Sequence, residues 1–179
     1  HDARGIAQMM RVGLFKPVHV KTPNSQRLRT ILTARQLLRN KLQDVENEIR
    51  GLIRNFGYHL GKVTARDFEP RVRELIADTD LHAVADALLL ARRSLREQFC
   101  RLDDMIVRFM TVPGVGPLVA LTFRATVDVP SRFTRSRTVG AHFGLTPRKQ
   151  QSGEVDRNGR ISRWGDEMMR SLLYEAGQV

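Results

Sequence analysis

The sequence predicts a mainly α-helical protein: a long helical hairpin of coiled-coil character, followed by a small helical domain. Three observations predict it. Apolar residues recur in alternating steps of three and four along two long stretches, which is the period of a helix seam. A Pro-Gly-Val-Gly-Pro turn at 113–117 separates the second stretch from a further apolar helical pattern. From Thr111 the heptads stop and Gly, Pro and Arg rise, as in a compact unit rich in turns.

The elements follow in order. Asp2 to Val12 reads as a short helix with Ile6, Met9 and Met10 on one face, ended by Gly13. Leu14 to Lys21 reads as extended, because Pro17 breaks a helix and Val18 and Val20 alternate with His19. Thr22-Pro23-Asn24-Ser25 is a helix start, with Asn24 or Ser25 as N-cap. The first seam runs through Leu28, Ile31, Arg35, Leu38, Leu42, Val45, Ile49, Leu52 and Phe56. It would span roughly 45 Å, and Gly57 closes it. The second runs through Leu81, Ala85, Leu88, Arg92, Leu95, Phe99, Leu102, Ile106 and Phe109. Between them, Val72, Leu75 and Ile76 have the spacing of another short helix. The seams can pair within the chain or between chains, and the heptads do not choose. The arginine in each seam, Arg35 or Arg92, either fixes register or reaches to solvent.

In the last third, Leu118 to Val127 reads as a helix, followed by a polar turn at Asp128-Val129-Pro130-Ser131. Thr138 to Phe143 reads as a short helix. Residues 148–163 read as a shaped basic loop, with Arg148, Lys149, Arg157, Arg160 and Arg163 against Glu154 and Asp156. Trp164 reads as a packing anchor for that loop rather than a base-stacking platform. Gly165-Asp166 opens a final amphipathic helix carrying Met168, Met169, Leu172, Leu173 and Ala176.

Composition narrows the partners. Thirty Lys and Arg against nineteen Asp and Glu leave a formal charge of +11 on 179 residues, which points to nucleic acid or an anionic membrane. No apolar run approaches the ~20 residues of a membrane span, and no signal peptide is visible. A cytoplasmic protein is expected, and the single Cys100 fits a reducing compartment. Cys100, beside Phe99, reads as a buried apolar residue. The five His show no metal-ligand spacing with Cys, so zinc is not expected. At 113–117, Gly114 and Gly116 allow positive φ. The backbone N–H groups of Gly114, Val115 and Gly116 would then face an anion at a helix N-terminus, as in a helix-hairpin-helix. For a chain this basic the anion is a DNA phosphate; the alternative is a plain turn joining two core helices.

A longer pattern carries a resemblance. Pro113 to Pro117, Arg132-Phe133, Gly144-Leu145-Thr146-Pro147-Arg148, Ser152-Gly153, Gly159-Arg160-Ile161-Ser162, Gly165-Asp166 and Arg170 to Ala176 occur in that order. Each piece is short, but the order is specific. It resembles the C-terminal transposase domain of the insertion-sequence-110 family. Asp2-Ala3-Arg4-Gly5-Ile6-Ala7 resembles the end of that family's RuvC-like nuclease domain, and the heptad helices resemble its linker. The resemblance divides the chain into 1–23, a nuclease-domain remnant; 24–109, the coiled-coil region; and 110–179, the transposase domain with helix-hairpin-helix and basic loop.

It further implies a DNA transposase or recombinase that cleaves and rejoins strands. Asp2 would be the last of four acidic residues that bind Mg²⁺ in the complete enzyme, the others lying upstream of His1. The chain is therefore expected to be a fragment that binds DNA with little turnover and no metal of its own. Ser152 would be the nucleophile, with Arg148, Lys149, Arg157 and Arg160 near it in sequence. Ser162 is the rival, and its alternative role is to cap the last helix. A structured guide RNA is implied as a partner by the resemblance alone, and self-association is expected from the heptads. The alternatives are a non-catalytic DNA-binding module, an inactive transposase remnant, or a coiled-coil scaffold.

Overall fold

The structure, a computed structural model, describes residues 2–15, 17–77, 81–108, 116–152 and 155–178. It is mainly helical, with one two-stranded sheet among the described residues. The first helix, α1 (Asp2–Arg11), buries none of its residues. Gly13 ends it at φ 75°, a left-handed turn that glycine takes without strain.

Three helices build the long half: α2 (Pro23–Asn55), α3 (Phe68–Leu75) and α4 (His82–Val107). Thr22 is the N-cap of α2, and its hydroxyl accepts from the Ser25 amide at 3.3 Å. The cap therefore precedes both sequence candidates, Asn24 and Ser25. Pro23 explains the difference: its fixed φ and missing N–H suit the first helical position. α2 and α4 run antiparallel within the chain, with Arg35 bonded to Asp103 at 2.6 Å and Arg92 to Glu46 at 2.7 Å. Both seam arginines are thus paired across the two helices. Each also lies over a ring, Arg35 on Phe99 and Arg92 on Phe68. Arg92 is 4% exposed, a position tenable only because a carboxylate and a carbonyl meet its charge.

One core joins Ile49 and Ile53 of α2, Phe68 and Val72 of α3, and Ala85 and Leu89 of α4. A second joins Leu28 and Leu32 to Ile106, Leu121 and Ala125. Leu32, Ile53 and Leu89 are buried although they lie outside the sequence seams. The buried face is wider than a two-helix stripe because α3 and the C-terminal helices cover its flanks. Phe56, read as a seam residue, is exposed at the end of α2. Cys100 is also exposed rather than buried, because it sits off the face of α4 that meets α2.

The C-terminal half holds α5 (Pro117–Val127), a 3-10 turn at Pro130–Arg132, α6 (Ser136–His142) and α7 (Glu167–Ala176). Its core is Val127, Phe143 and Met169, ringed by Val119, Phe133, Val139 and Leu173. Between α6 and α7 the expected basic loop is instead a β-hairpin of β1 (Pro147–Ser152) and β2 (Val155–Ile161). Its residues give no apolar alternation, so the two-residue period that betrays a half-buried strand is missing. No helix among the described residues is long and apolar enough to cross a membrane.

Candidate nucleic-acid interface

The hairpin gathers five of the residues singled out in the sequence. Arg148, Lys149 and Ser152 lie on β1, Arg157 and Arg160 on β2, and all five are exposed. The register pairs Lys149 with Asn158, Gln150 with Arg157, Gln151 with Asp156 and Ser152 with Val155. Alternation along a strand then sorts them. Ser152 shares a face with Arg148 and Arg157, while Lys149, Asn158 and Asp156 lie on the other. The ladder slips between Pro147 and Lys149, and Gly159 passes so close that a Cβ would stand 3.2 Å from the Arg148 carbonyl oxygen.

The base of the hairpin is clamped by backbone. Gly144 sits at φ 71°, and a Cβ on Gly165 would lie 2.3 Å from the Phe143 carbonyl carbon. Only glycine permits this crossing of two main chains. Arg163 donates its amide to the Gly144 carbonyl at 3.0 Å, and Ser162 donates to Thr146 at 2.9 Å. Arg163 itself takes φ 59°, unusual for a residue with a side chain. Arg170 reaches back from α7 to the carbonyls of Phe143 and Gly165. Trp164, read as a packing anchor, is instead 85% exposed beside this crossing, which is held by backbone contacts.

Ser162 is not the cap of α7. Asp166 takes that role, accepting from the Met169 amide at 3.1 Å, and it also pairs with Arg29 of α2. Burial pushes the Asp166 carboxyl up, but the Met169 amide and Arg29 outweigh it and hold it below its ordinary range. A second carboxylate also lies at the start of α2. Asp128 follows α5 at φ 63°. It accepts from the Ser25 and Thr22 hydroxyls at 2.6 Å and from the Thr22 amide at 2.8 Å, with His19 at 2.8 Å. These bonds, Ser25 and Thr22 foremost, hold its carboxyl well below the usual range. A carboxylate is favoured there by the positive end of α2. Lys21 donates to the Ala125 carbonyl at 2.6 Å, and burial lowers its pKa. Sequence reasoning placed Asp128 only in a polar turn; the Thr22-Pro23 helix start was the signal that an acceptor would be needed nearby.

The remaining candidates lie apart from the hairpin. Gly116 is the N-cap of α5 at φ −56°, so it does not use the positive φ its residue type allows. Gly114 and Val115 lie outside the described residues. Asp2 is exposed at the start of α1. Among the described residues, no three His, Cys, Asp or Glu side chains converge as a metal site. Mg²⁺ needs several oxygen ligands, so Asp2 alone does not fit the ion.

Comparison with known proteins gives a consistent set of likenesses. Residues 107–179 match the family model described as the transposase IS116/IS110/IS902 family. The chain is 31% identical to a Sinorhizobium fredii protein bearing the name transposase y4pF/y4sB, over 96% of the chain and 48% of the relative. It is 29% identical to the transposase for insertion sequence element IS1111A of Coxiella burnetii, over 100% of the chain and 53% of the relative. An IS116 protein of Streptomyces clavuligerus is 28% identical over 62% of the chain and 28% of its own length. The chain spans about half the length of the first two relatives.

Proposed function

Because this chain belongs to the IS116/IS110/IS902 transposase family, we propose that it serves DNA transposition of an insertion sequence, with the β-hairpin as its DNA-contacting and strand-exchanging element. One observation carries the proposal: the register of the hairpin sets Ser152 on the same face as Arg148 and Arg157. In the proposed step the Ser152 hydroxyl attacks a DNA phosphorus. A serine–phosphate ester forms, the phosphodiester breaks, and the serine proton ends on the departing sugar oxygen. A second strand's hydroxyl then attacks the ester and restores Ser152. The ester conserves the bond energy between the two steps. Arg157, diagonal to Ser152 in the register, faces the charge that builds on the phosphoryl oxygens, while Arg148, at the hairpin base, contacts a neighbouring phosphate.

Ser152 is preferred to Ser162 because it stands exposed at the end of β1, whereas Ser162 is half-buried at the hairpin base, its carbonyl accepting from Arg148. Lys149, Arg160 and Arg163 supply further phosphate contacts, and Trp164 offers a base-stacking face. The Pro-Gly-Val-Gly-Pro sequence at 113–117, ahead of α5, is proposed as a further phosphate contact of helix-hairpin-helix type. Asp2 enters only as one carboxylate of a larger Mg²⁺ site. Self-association would use exposed residues such as Leu37 and Leu90, since Ile49 is enclosed within the chain. A structured guide RNA belongs to the proposal through the family alone.

The test uses a longer relative carrying this hairpin. It is expected to form a covalent DNA adduct that the change corresponding to Ser152→Ala abolishes while DNA binding persists. An adduct that survives Ser152→Ala and vanishes with Ser162→Ala would move the nucleophile to Ser162.

A further inference from the structure

A second cationic surface lies away from the hairpin. Arg66, Arg73, Arg92, Arg93 and Arg96 line an open groove of about 540 Å³ between α3 and α4, with Glu69 as its acidic member. The groove has a fixed frame. Arg92 is bonded to Glu46, and both Arg92 and Arg96 donate to the Ala65 carbonyl. Glu69 accepts from Arg73 and Arg93, and Asp86 takes a further bond from Arg73. Three carboxylates thus pair with three of the five guanidinium groups, and neither Arg66 nor Arg96 is in an ion pair among the described residues. The Arg93 side chain remains 63% exposed.

We propose that this groove binds the phosphodiester backbone of duplex DNA. Guanidinium groups bind phosphate oxygens in pairs, and several on two walls match successive phosphates rather than one small anion. A single strand would call for exposed aromatic faces on which bases stack. The groove has none: Phe68 lies beneath Arg92 and Arg50 and is 1% exposed. The Glu46–Arg92 pair marks this end of α2, and Leu28 marks the end that packs on Leu121 and Ala125 of α5. Those eighteen residues span roughly 27 Å of helix. The groove is therefore a separate foothold, which extends the DNA-binding reading without depending on Ser152.

The test is Arg66→Gln with Arg93→Gln, which spares the two arginines that hold Ala65. Fluorescence anisotropy with a short DNA duplex is followed from about 50 to about 200 mM salt, where each lost phosphate contact flattens the log–log slope by about 0.9. The expected result is a slope flatter by about two units and an affinity about tenfold lower at the middle of that range, with the thermal midpoint held. Arg66→Gln alone, on an exposed loop, is expected to remove about one unit. Unchanged slope and affinity in both folded variants would overturn the proposal. A greater loss on the single strand of the same sequence would overturn the duplex assignment. Arg157→Ala measured in parallel separates the two readings, because failure of the hairpin leaves its own slope unchanged whatever the groove does.

Discussion

Beneath the β-hairpin, charged side chains are consumed by the fold; on the hairpin they are left to solvent. Asp128 accepts from Ser25 and Thr22 and lies against His19, and Asp166 is held by Met169 and Arg29. These carboxylates fasten the start of α2 to α5 and α7. Only a few residues away, Lys149, Arg157 and Arg160 stand exposed on strands that bury no apolar face. The body below is thus built to stay in one arrangement, and the hairpin to meet an outside charge. Changes in the first should be read as stability, and changes in the second as binding.

The largest expected effect lies where the two regions join. Gly165→Ala would force a Cβ against backbone atoms of His142 and Phe143. Neither main chain can yield without moving α6 or α7, so a loss of about 3 kcal/mol is expected. Chemical denaturation measures it. A loss below about 1 kcal/mol would mean that the crossing relaxes freely, and the body would be less fixed than its contacts imply.

Asp128→Asn removes the charge but keeps the shape. The depressed pKa of Asp128 gives stability that is fully present above its unfolded value of about 3.9 and is lost as pH falls towards its folded value. The wild type should therefore outlast the variant at neutral pH by more than it does near pH 3. Asp166 and Glu69, whose pKa values are also lowered, remain in both proteins and cancel in the comparison. An equal gap at both pH values would remove Asp128 from the acid response.

How much of this was legible in the sequence depends on what each region buries. The long helices show in the heptads because Leu28, Ile49, Ala85 and Ile106 repeat against a continuous core. The short helix through Val72 and Leu75 and the helix from Leu118 were legible too, but not their packing on the flanks of the seams, so Leu32, Ile53 and Leu89 fall outside the sequence seams. The basic residues of the hairpin were legible as chemistry, yet its strands were not, since a two-sided polar ribbon leaves no pattern of burial. Asp128 and the groove arginines escaped because their partners lie far along the chain: Thr22 is 106 residues from Asp128, and Arg96 is 31 from Ala65. Such convergence is a property of the fold, not of spacing.

Capping gives a smaller and sharper contrast. Asp166→Ala should cost about 1 kcal/mol through loss of the α7 cap, while Ser162→Ala should stay within about 0.5 kcal/mol. Thermal melts of the two variants decide it. A larger loss for Ser162→Ala would return the structural role to that residue and leave its place at the hairpin base unexplained by backbone bonds alone.

Arg157→Ala should change stability least and binding most visibly. Its side chain is exposed on β2 opposite Gln150, so the melting curve should shift within about 0.5 kcal/mol. If Arg157 meets a phosphate, DNA affinity should fall by a similar factor for unrelated sequences, because phosphate contacts carry no base information. The salt slope should flatten by about one unit. The same change placed in the body, Arg29→Ala, should do the reverse: lose the bond to Asp166 and leave the salt slope unchanged. A flattened slope in Arg29→Ala, or a destabilised Arg157→Ala with unchanged binding, would erase the division between a body held by its charges and a hairpin that presents them.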